Sequence, residues 1–233
     1  MNQRVFPDPD RYAICPLEGP VLPFYDGAFE AAYVLLSPFM RPKSTTFDLT
    51  NAAREDWSAD ELCQTFESVR WSQVRDLCGF PSIASIDVAL RTMIGGLRKD
   101  FADEELADVL ANSLSQHRLL APVEGLFPEL IQDPVLSFIQ SLAQEWLWVG
   151  DEFCTERKLC WIDDLKPASA KVALTSGSVF TPDKANLWTV HWDSHFTIFC
   201  SSRPNVERLA RHPTLEGFVC APETEIYWSL QSV

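Results

Sequence analysis

Apolar residues recur at helical spacing between residues 58 and 147. Within residues 82–99 and 103–115 they fall three or four positions apart, so each segment can bury one side as a helix. Three further segments show the same spacing or carry start and stop signals for a helix. The predicted helices span residues 58–67, 71–78, 82–99, 103–115 and 135–147.

Three of these helices have ends marked by capping residues. Ser58 and Glu61 form a capping box, in which each side chain satisfies a free backbone donor of the first turn. Gly79 follows the second helix and supplies the left-handed conformation that commonly ends one. Asp133 and Pro134 predict the start of the last helix, with proline at the first helical position.

After residue 148 the helical spacing stops and short runs of β-branched and aromatic residues follow. Turn residues such as Gly, Pro, Asn and Asp separate these runs. Helices first and strands afterwards are typical of an α+β protein. We therefore expect an N-terminal helical half packed on one face of a C-terminal, mainly antiparallel β-sheet. The predicted strands span residues 158–162, 178–181, 187–200, 217–220 and 225–230.

The first 57 residues show neither the helical spacing of residues 58–147 nor the regular series of strand-like runs that follows residue 148. Five prolines in residues 1–27 exclude long helices, yet the apolar side chains between them indicate an ordered wrap over the core. Residues 28–36 predict a short buried element, either helix or strand, and residues 41–56 predict a loop. The sequence contains no obvious repeat or linker, so we expect a single domain over 1–233. Its parts would be a Pro-rich wrap and loop (1–57), a helical half (58–147) and a strand-rich half (148–233).

Charge narrows the classes of partner. The 233-residue chain carries a formal net charge of −14, which repels nucleic acid and anionic membranes and suits a basic partner protein. Its seven cysteines form no C-x-x-C pair, and their odd number argues against a disulfide framework. No N-terminal signal and no apolar run of the roughly 20 residues that cross a bilayer are present. We expect a cytoplasmic protein with reduced thiols.

Tryptophan is concentrated towards the C-terminal half. Tryptophans on strands usually pack in a core, but six of them leave room for one or two at the surface, where Trp often anchors a partner. The six are Trp146, Trp148, Trp161, Trp188, Trp192 and Trp228.

The first candidate site lies in the predicted strand 187–200. Because side chains on a strand alternate between faces, His191, Asp193 and His195 would share one face, and Ser194 would point to the other. Imidazole and carboxylate groups are common ligands of zinc, iron and manganese.

Distance weakens the strongest form of this metal hypothesis. The α-carbons of His191 and His195 would lie roughly 13 Å apart on a regular strand, so a neighbouring pair could converge more easily than all three. The alternative interpretation is structural, with a buried carboxylate that orients the histidines in a hydrogen-bonded network.

A second candidate cluster occupies residues 150–158, where the helical half gives way to strands. Asp151, Glu152 and Glu156 concentrate acid there, and one of these carboxylates could serve as a general base or a metal ligand beside the histidines. The alternative is a surface turn with ion pairs of little energetic weight. Nucleotide-binding patterns such as Walker A and G-x-G-x-x-G are absent from the sequence.

Three segments resemble a bacterial family known only as a domain of unknown function. They are GDEFCTERK at 150–158, FTPDK at 180–184 and HWDSHF at 191–196. The resemblance implies a bacterial cytoplasmic protein of similar length, with the family covering most of the chain. It implies no activity, cofactor or catalytic residue.

Two functional hypotheses follow from the residues. The first is an acidic protein-binding module, such as an immunity or antitoxin-like partner of a basic protein. The second is a metal-dependent enzyme, a hydrolase or an oxygenase, that uses His191, Asp193 and His195 with Glu152 or Asp151. In a third interpretation, the histidines and the aspartate are purely structural.

Overall fold

A seven-stranded antiparallel sheet organises the protein. The structure, a computed structural model, describes residues 10–49, 57–169 and 171–231. The strand order in the sheet is β5-β4-β6-β7-β8-β1-β9, and β2 pairs with β3 in a separate hairpin. The strands are β1 (Ala31–Leu36), β2 (Phe39–Pro42), β3 (Phe66–Val69), β4 (Trp146–Gly150), β5 (Arg157–Trp161), β6 (Ser178–Phe180), β7 (Leu187–Val190), β8 (Phe196–Ser201) and β9 (Gly217–Val219).

Helices precede most of the strands in the chain, and the described residues form an α+β fold, as the sequence predicts. Short 3₁₀ turns lie at Arg11–Ala13, Ile162–Asp164 and Trp228–Leu230. The α-helices are α1 (Val21–Phe24), α2 (Ala59–Thr65), α3 (Trp71–Cys78), α4 (Ile83–Met93), α5 (Glu104–His117), α6 (Glu129–Gln140) and α7 (Arg203–Ala210).

The sheet is buried on both faces, which corrects the expectation of one covered face. On β1, Val34 and its alternate neighbours join a core with α3, α4 and α5. Tyr33 and its alternate neighbours join a second core with α6 and α7. Because both faces are covered, β1 is apolar at every position rather than at every second one.

Within residues 10–27, Ala13, Val21 and Tyr25 are buried in the core that contains Val34 of β1. Residues 1–9 and 50–56 lie outside the described part of the chain. The undecided element at 28–36 is strand β1, which pairs with β8 on one side and β9 on the other.

Local capping signals locate two helices correctly. The capping box of Ser58 and Glu61 is formed at the start of α2. Gly79 adopts a left-handed φ of 69° directly after α3.

Several element boundaries differ because sheet pairing overrides local preference. The predicted helix 135–147 is instead α6 (Glu129–Gln140), with Pro134 inside it, followed by β4, which pairs with β5 and β6. Helix α2 ends before Phe66 because that residue begins the pairing of β3 with β2. The same pairing places β2 partly inside the predicted loop 41–56.

Two further predicted elements are also wrong in extent or type. Helix α4 ends at Met93 rather than near residue 99, and Gly95 follows with a left-handed φ of 71°. The predicted strand 225–230 is a region of turns that contains the 3₁₀ turn Trp228–Leu230.

No helix in the described ranges is long and apolar enough to span a membrane.

Candidate functional site

The predicted strand 187–200 is two strands joined by a loop. Strands β7 and β8 pair antiparallel, with Val190 opposite Thr197, and residues 191–195 reverse the chain between them. We call these five residues the Trp192 loop. The expectation that His191, Asp193 and His195 share one strand face is therefore wrong, because the backbone there turns and the strand alternation does not apply.

Arg91 on helix α4 holds the Trp192 loop through hydrogen bonds. Its guanidinium is fully buried; Nη1 donates to the carbonyl of Asp193 at 2.6 Å, and Nη2 donates to Ser194 Oγ at 2.9 Å. Nη1 also lies 3.4 Å from the carboxylate of Asp193. One side chain thus holds backbone and side-chain atoms of two consecutive loop residues.

The charge of Arg91 is balanced inside the protein by Asp87. The two residues are one helical turn apart on α4, and Arg91 Nε lies 2.9 Å from Asp87 Oδ2, with both side chains fully buried. Ser229 donates to the same carboxylate oxygen at 2.6 Å, and the ring of Tyr227 lies 5.0 Å from the guanidinium carbon. A buried charge needs such partners to offset its lost hydration.

Both ring nitrogens of His191 form hydrogen bonds, one as a donor and the other as an acceptor. Its Nε2 lies 3.0 Å from the carbonyl oxygen of Leu17, and its Nδ1 lies 2.8 Å from Ser194 Oγ. Because a carbonyl only accepts, Nε2 carries the proton and Nδ1 accepts the hydroxyl proton of Ser194. Burial lowers the pKa of His191, which keeps the ring neutral. Ser194 therefore faces His191, contrary to the strand-based prediction.

His195 is buried at the other end of the loop. Burial lowers its pKa to about 4; the carboxylate of Asp87 opposes this shift and the charge of Arg91 adds to it. Within the described chain, His195 Nδ1 and Asp87 Oδ1 are buried polar atoms without a hydrogen-bond partner. The ring thus occupies the interior as a neutral group.

These contacts favour the structural interpretation of the histidines. In the described ranges, no group of three or more His, Cys, Asp or Glu residues is arranged to hold a metal ion. Both nitrogens of His191 are already engaged with protein atoms.

The acidic cluster at residues 150–158 forms a surface turn. Asp151 accepts hydrogen bonds from the backbone N–H of Thr155 at 2.6 Å and of Glu156 at 3.2 Å, and also from the Thr155 hydroxyl. Partial burial raises the pKa of Asp151, but these hydrogen bonds outweigh it, so the pKa lies below its usual value. In the described structure no hydrogen bond or ion pair joins Asp151, Glu152 or Glu156 to the Trp192 loop.

The Trp192 loop also exposes the aromatic side chain of Trp192 to solvent. Trp192 is 54% exposed, whereas Trp188 on β7 is fully buried. Gly125 donates its N–H to the Ser194 carbonyl at 3.1 Å, and with a φ of 68° it packs against the carbonyl of Trp192. The segment at Gly125 therefore supports the loop from a second side.

Sequence reasoning missed Asp87 and Arg91. Both occur at helical spacing within the apolar pattern of α4, four positions apart, where a charged residue is unexpected. Two charged residues in an apolar pattern were the available signal. The loop residues that Arg91 contacts, however, lie about one hundred positions further along the chain.

Comparisons with known proteins identify the family but no activity. The model of a family described as "Protein of unknown function (DUF2711)" matches residues 17–230. A Bacillus subtilis (strain 168) protein described as "Uncharacterized protein YwbB" is 24% identical over 221 residues, which cover 91% of this chain and 95% of that protein. No solved structure matches the chain significantly. The chain therefore belongs to the DUF2711 family of proteins of unknown function, in agreement with the resemblance seen in its sequence.

Proposed function

We propose that this protein is a protein-binding module that contacts a basic partner through the Trp192 loop. The observation that carries the proposal is the large exposed aromatic side chain on a loop whose backbone is held by a buried arginine. Tryptophan is enriched among the residues that dominate binding energy at protein interfaces. A loop fixed before binding loses little conformational entropy when the partner arrives.

The charge around the loop supports a basic partner. Asp193 lies in the loop, and its carboxylate helps to raise the pKa of Glu124, after the larger effect of burial. Asp193 and Glu18 also add to the raised pKa of Tyr227, for which burial is again the main cause. Glu124 therefore lies within electrostatic range of Asp193 in the Trp192 loop, on a protein with a net charge of −14. Opposite charges would speed association, as in an immunity or antitoxin-like protein that neutralises a basic partner.

Affinity capture with matched tryptophan variants tests the proposal. Wild type, Trp192→Ala and Trp146→Ala serve as baits in a lysate of the native cells, at low and high salt. Trp146 is the control because it is also exposed, at 42%, but lies on β4. We expect a basic protein whose capture falls roughly 30-fold with Trp192→Ala, survives Trp146→Ala and weakens with salt.

Three outcomes of that capture would refute the proposal. They are no specific partner at either salt concentration, equal capture by all three baits, and capture that is insensitive to salt. Circular dichroism of each bait verifies that the substituted proteins are folded.

A metal-dependent hydrolase or oxygenase is the second functional hypothesis from the sequence. It receives less support because His191 uses both ring nitrogens within the protein. Elemental analysis of tag-free wild type and His195→Ala tests it directly. About one zinc, iron or manganese per chain in the wild type, lost in the variant, would favour the enzyme over the binding module.

A further inference from the structure

A groove of about 320 Å³ lies beside the N-terminal segment that contains Leu17. Leu17 lines the groove, and its carbonyl accepts the hydrogen bond from His191 described above. The groove is therefore physically linked to the proposed binding loop. Its other lining residues include Cys15, Glu18, Phe24, Glu152 and Phe153.

The walls of the groove are apolar and accessible. Leu17 and Phe153 are each 52% exposed. They lie together in one concave site, where a partner's side chain could cover both. Grouped exposure of this kind is typical of an interaction surface.

Two carboxylates give the groove its charge. Within the described structure, neither Glu18 nor Glu152 forms a hydrogen bond or an ion pair. The charge of Glu152 reaches the inner wall, since it adds to the effect of burial in raising the pKa of Cys15. A ligand in this groove therefore meets apolar walls together with two carboxylates that have no ion-pair partner in the described structure.

We propose that this groove binds an arginine side chain of the partner protein. Arginine combines an apolar stem, which would cover Leu17, with a planar cation that stacks on aromatic rings and pairs with carboxylates. Arg11 of the chain already makes such a contact at one lining residue, since it lies 5.9 Å from the ring centre of Phe24 and donates to the Phe24 carbonyl. The partner's arginine would therefore stack on the exposed ring of Phe153. This inference rests on the proposed function, because it specifies the chemistry of the partner.

Small-molecule titration followed by NMR tests the groove without knowledge of the partner. The probe is N-acetyl-arginine methylamide, and the analogues of citrulline (neutral, with nearly the same shape) and lysine are the control ligands. We expect the arginine probe to shift the amide signals of Leu17 and Phe153, with binding in the millimolar range and at least threefold tighter than either control.

Glutamine variants then test whether the carboxylates of Glu18 and Glu152 contribute to binding of the arginine probe. Glu18→Gln and Glu152→Gln should each weaken binding of the arginine probe at least threefold. Glu207→Gln is the matched control, because Glu207 is exposed on α7, which packs against the opposite face of the sheet. This variant should bind as the wild type does.

Several results would overturn the inference. They are equal binding of the citrulline or lysine probe, no effect of either groove variant, and shifts confined to another surface. A wild-type dimer in sedimentation that dissociates with Phe153→Ser would instead assign the groove to a second copy of the chain. If Trp192→Ala leaves partner capture intact while the arginine probe still binds here, the proposed function fails and the groove assignment survives.

Discussion

Replacing Arg91 by methionine would test whether the buried ion pair organises both α4 and the Trp192 loop. Methionine keeps most of the apolar volume of the stem but removes the guanidinium. Asp87 would then remain as a buried carboxylate with only the hydroxyl of Ser229 as a partner. The carbonyl of Asp193 and the hydroxyl of Ser194 would lose their donors.

The expected loss is large relative to total stability. Removing one member of a buried ion pair typically costs 3–5 kcal/mol, and we expect about 4 kcal/mol for Arg91→Met. A domain is usually stable by only about 5–15 kcal/mol, so this variant approaches the limit of folding. Arg98→Met is the control, because the Arg98 side chain is 79% exposed and its ion pair with Asp100 should contribute less than about 1 kcal/mol.

A second substitution separates the buried charge from the lost packing. In the double variant Asp87→Leu with Arg91→Met, α4 holds no buried unpaired charge, although Asp193 still loses its cation, so the variant should be more stable than Arg91→Met alone. We expect a residual loss of about 2 kcal/mol, because the loop still lacks its donors. The loss of unfolding free energy in the double variant should therefore be at least about 2 kcal/mol smaller than the sum of the losses in the two single variants.

Urea unfolding followed by tryptophan fluorescence at pH 7 measures Arg91→Met, the single variant Asp87→Leu, the double variant and the control Arg98→Met. The reasoning would be refuted if Arg91→Met lost less than about 1 kcal/mol, or if the two single losses simply added. A changed denaturant slope would show an altered unfolded or native state, and such a variant would need a second probe such as circular dichroism.

Two further predictions concern the same loop. Because the folded pKa of His195, about 4, lies below the ordinary value near 6.5, the unfolded state binds the proton first, and stability falls as pH drops from about 6.5 towards 4. Wild type should thus lose about 2 kcal/mol more than His195→Gln between pH 7 and pH 5 in urea unfolding, and parallel pH curves would contradict this. Gly125→Ala places a Cβ 2.6 Å from the Trp192 carbonyl, whereas Gly79→Ala, with a similar φ, meets open space. Gly125→Ala should cost about 1–3 kcal/mol more in thermal unfolding, and equal losses would refute the steric argument.

Local signals in the sequence were sufficient where they act within one turn of helix. The capping box of Ser58 and Glu61 and the stop at Gly79 depend on residues only a few positions apart, and both form as predicted. Pro134 misled because proline is favoured at the first helical position, whereas here it lies in the second turn of α6, inside a helix whose apolar side is buried. The pattern could not show that the helix begins at Glu129 instead.

The sequence indicated a strand at residues 191–195, whereas the structure has a loop there. The sequence directs attention to His191, Asp193 and His195, and these residues do lie together in one loop. Their role depends on Arg91, which approaches from another part of the chain and determines which atoms remain free. Trp192 is likewise exposed, whereas Trp188, four positions earlier in the chain, is fully buried.

The amino-acid sequence by itself determined the α+β class, the acidic surface, the capped helices and the family. These properties depend on composition and on short-range spacing, which the chain carries before it folds. The tertiary structure alone decided that β1 lies between β8 and β9, that helices cover both faces of the sheet and that Arg91 joins Asp87 to the Trp192 loop. Those features arise from contacts between distant residues, and the spacing of apolar positions records that a residue is buried without recording which residue buries it.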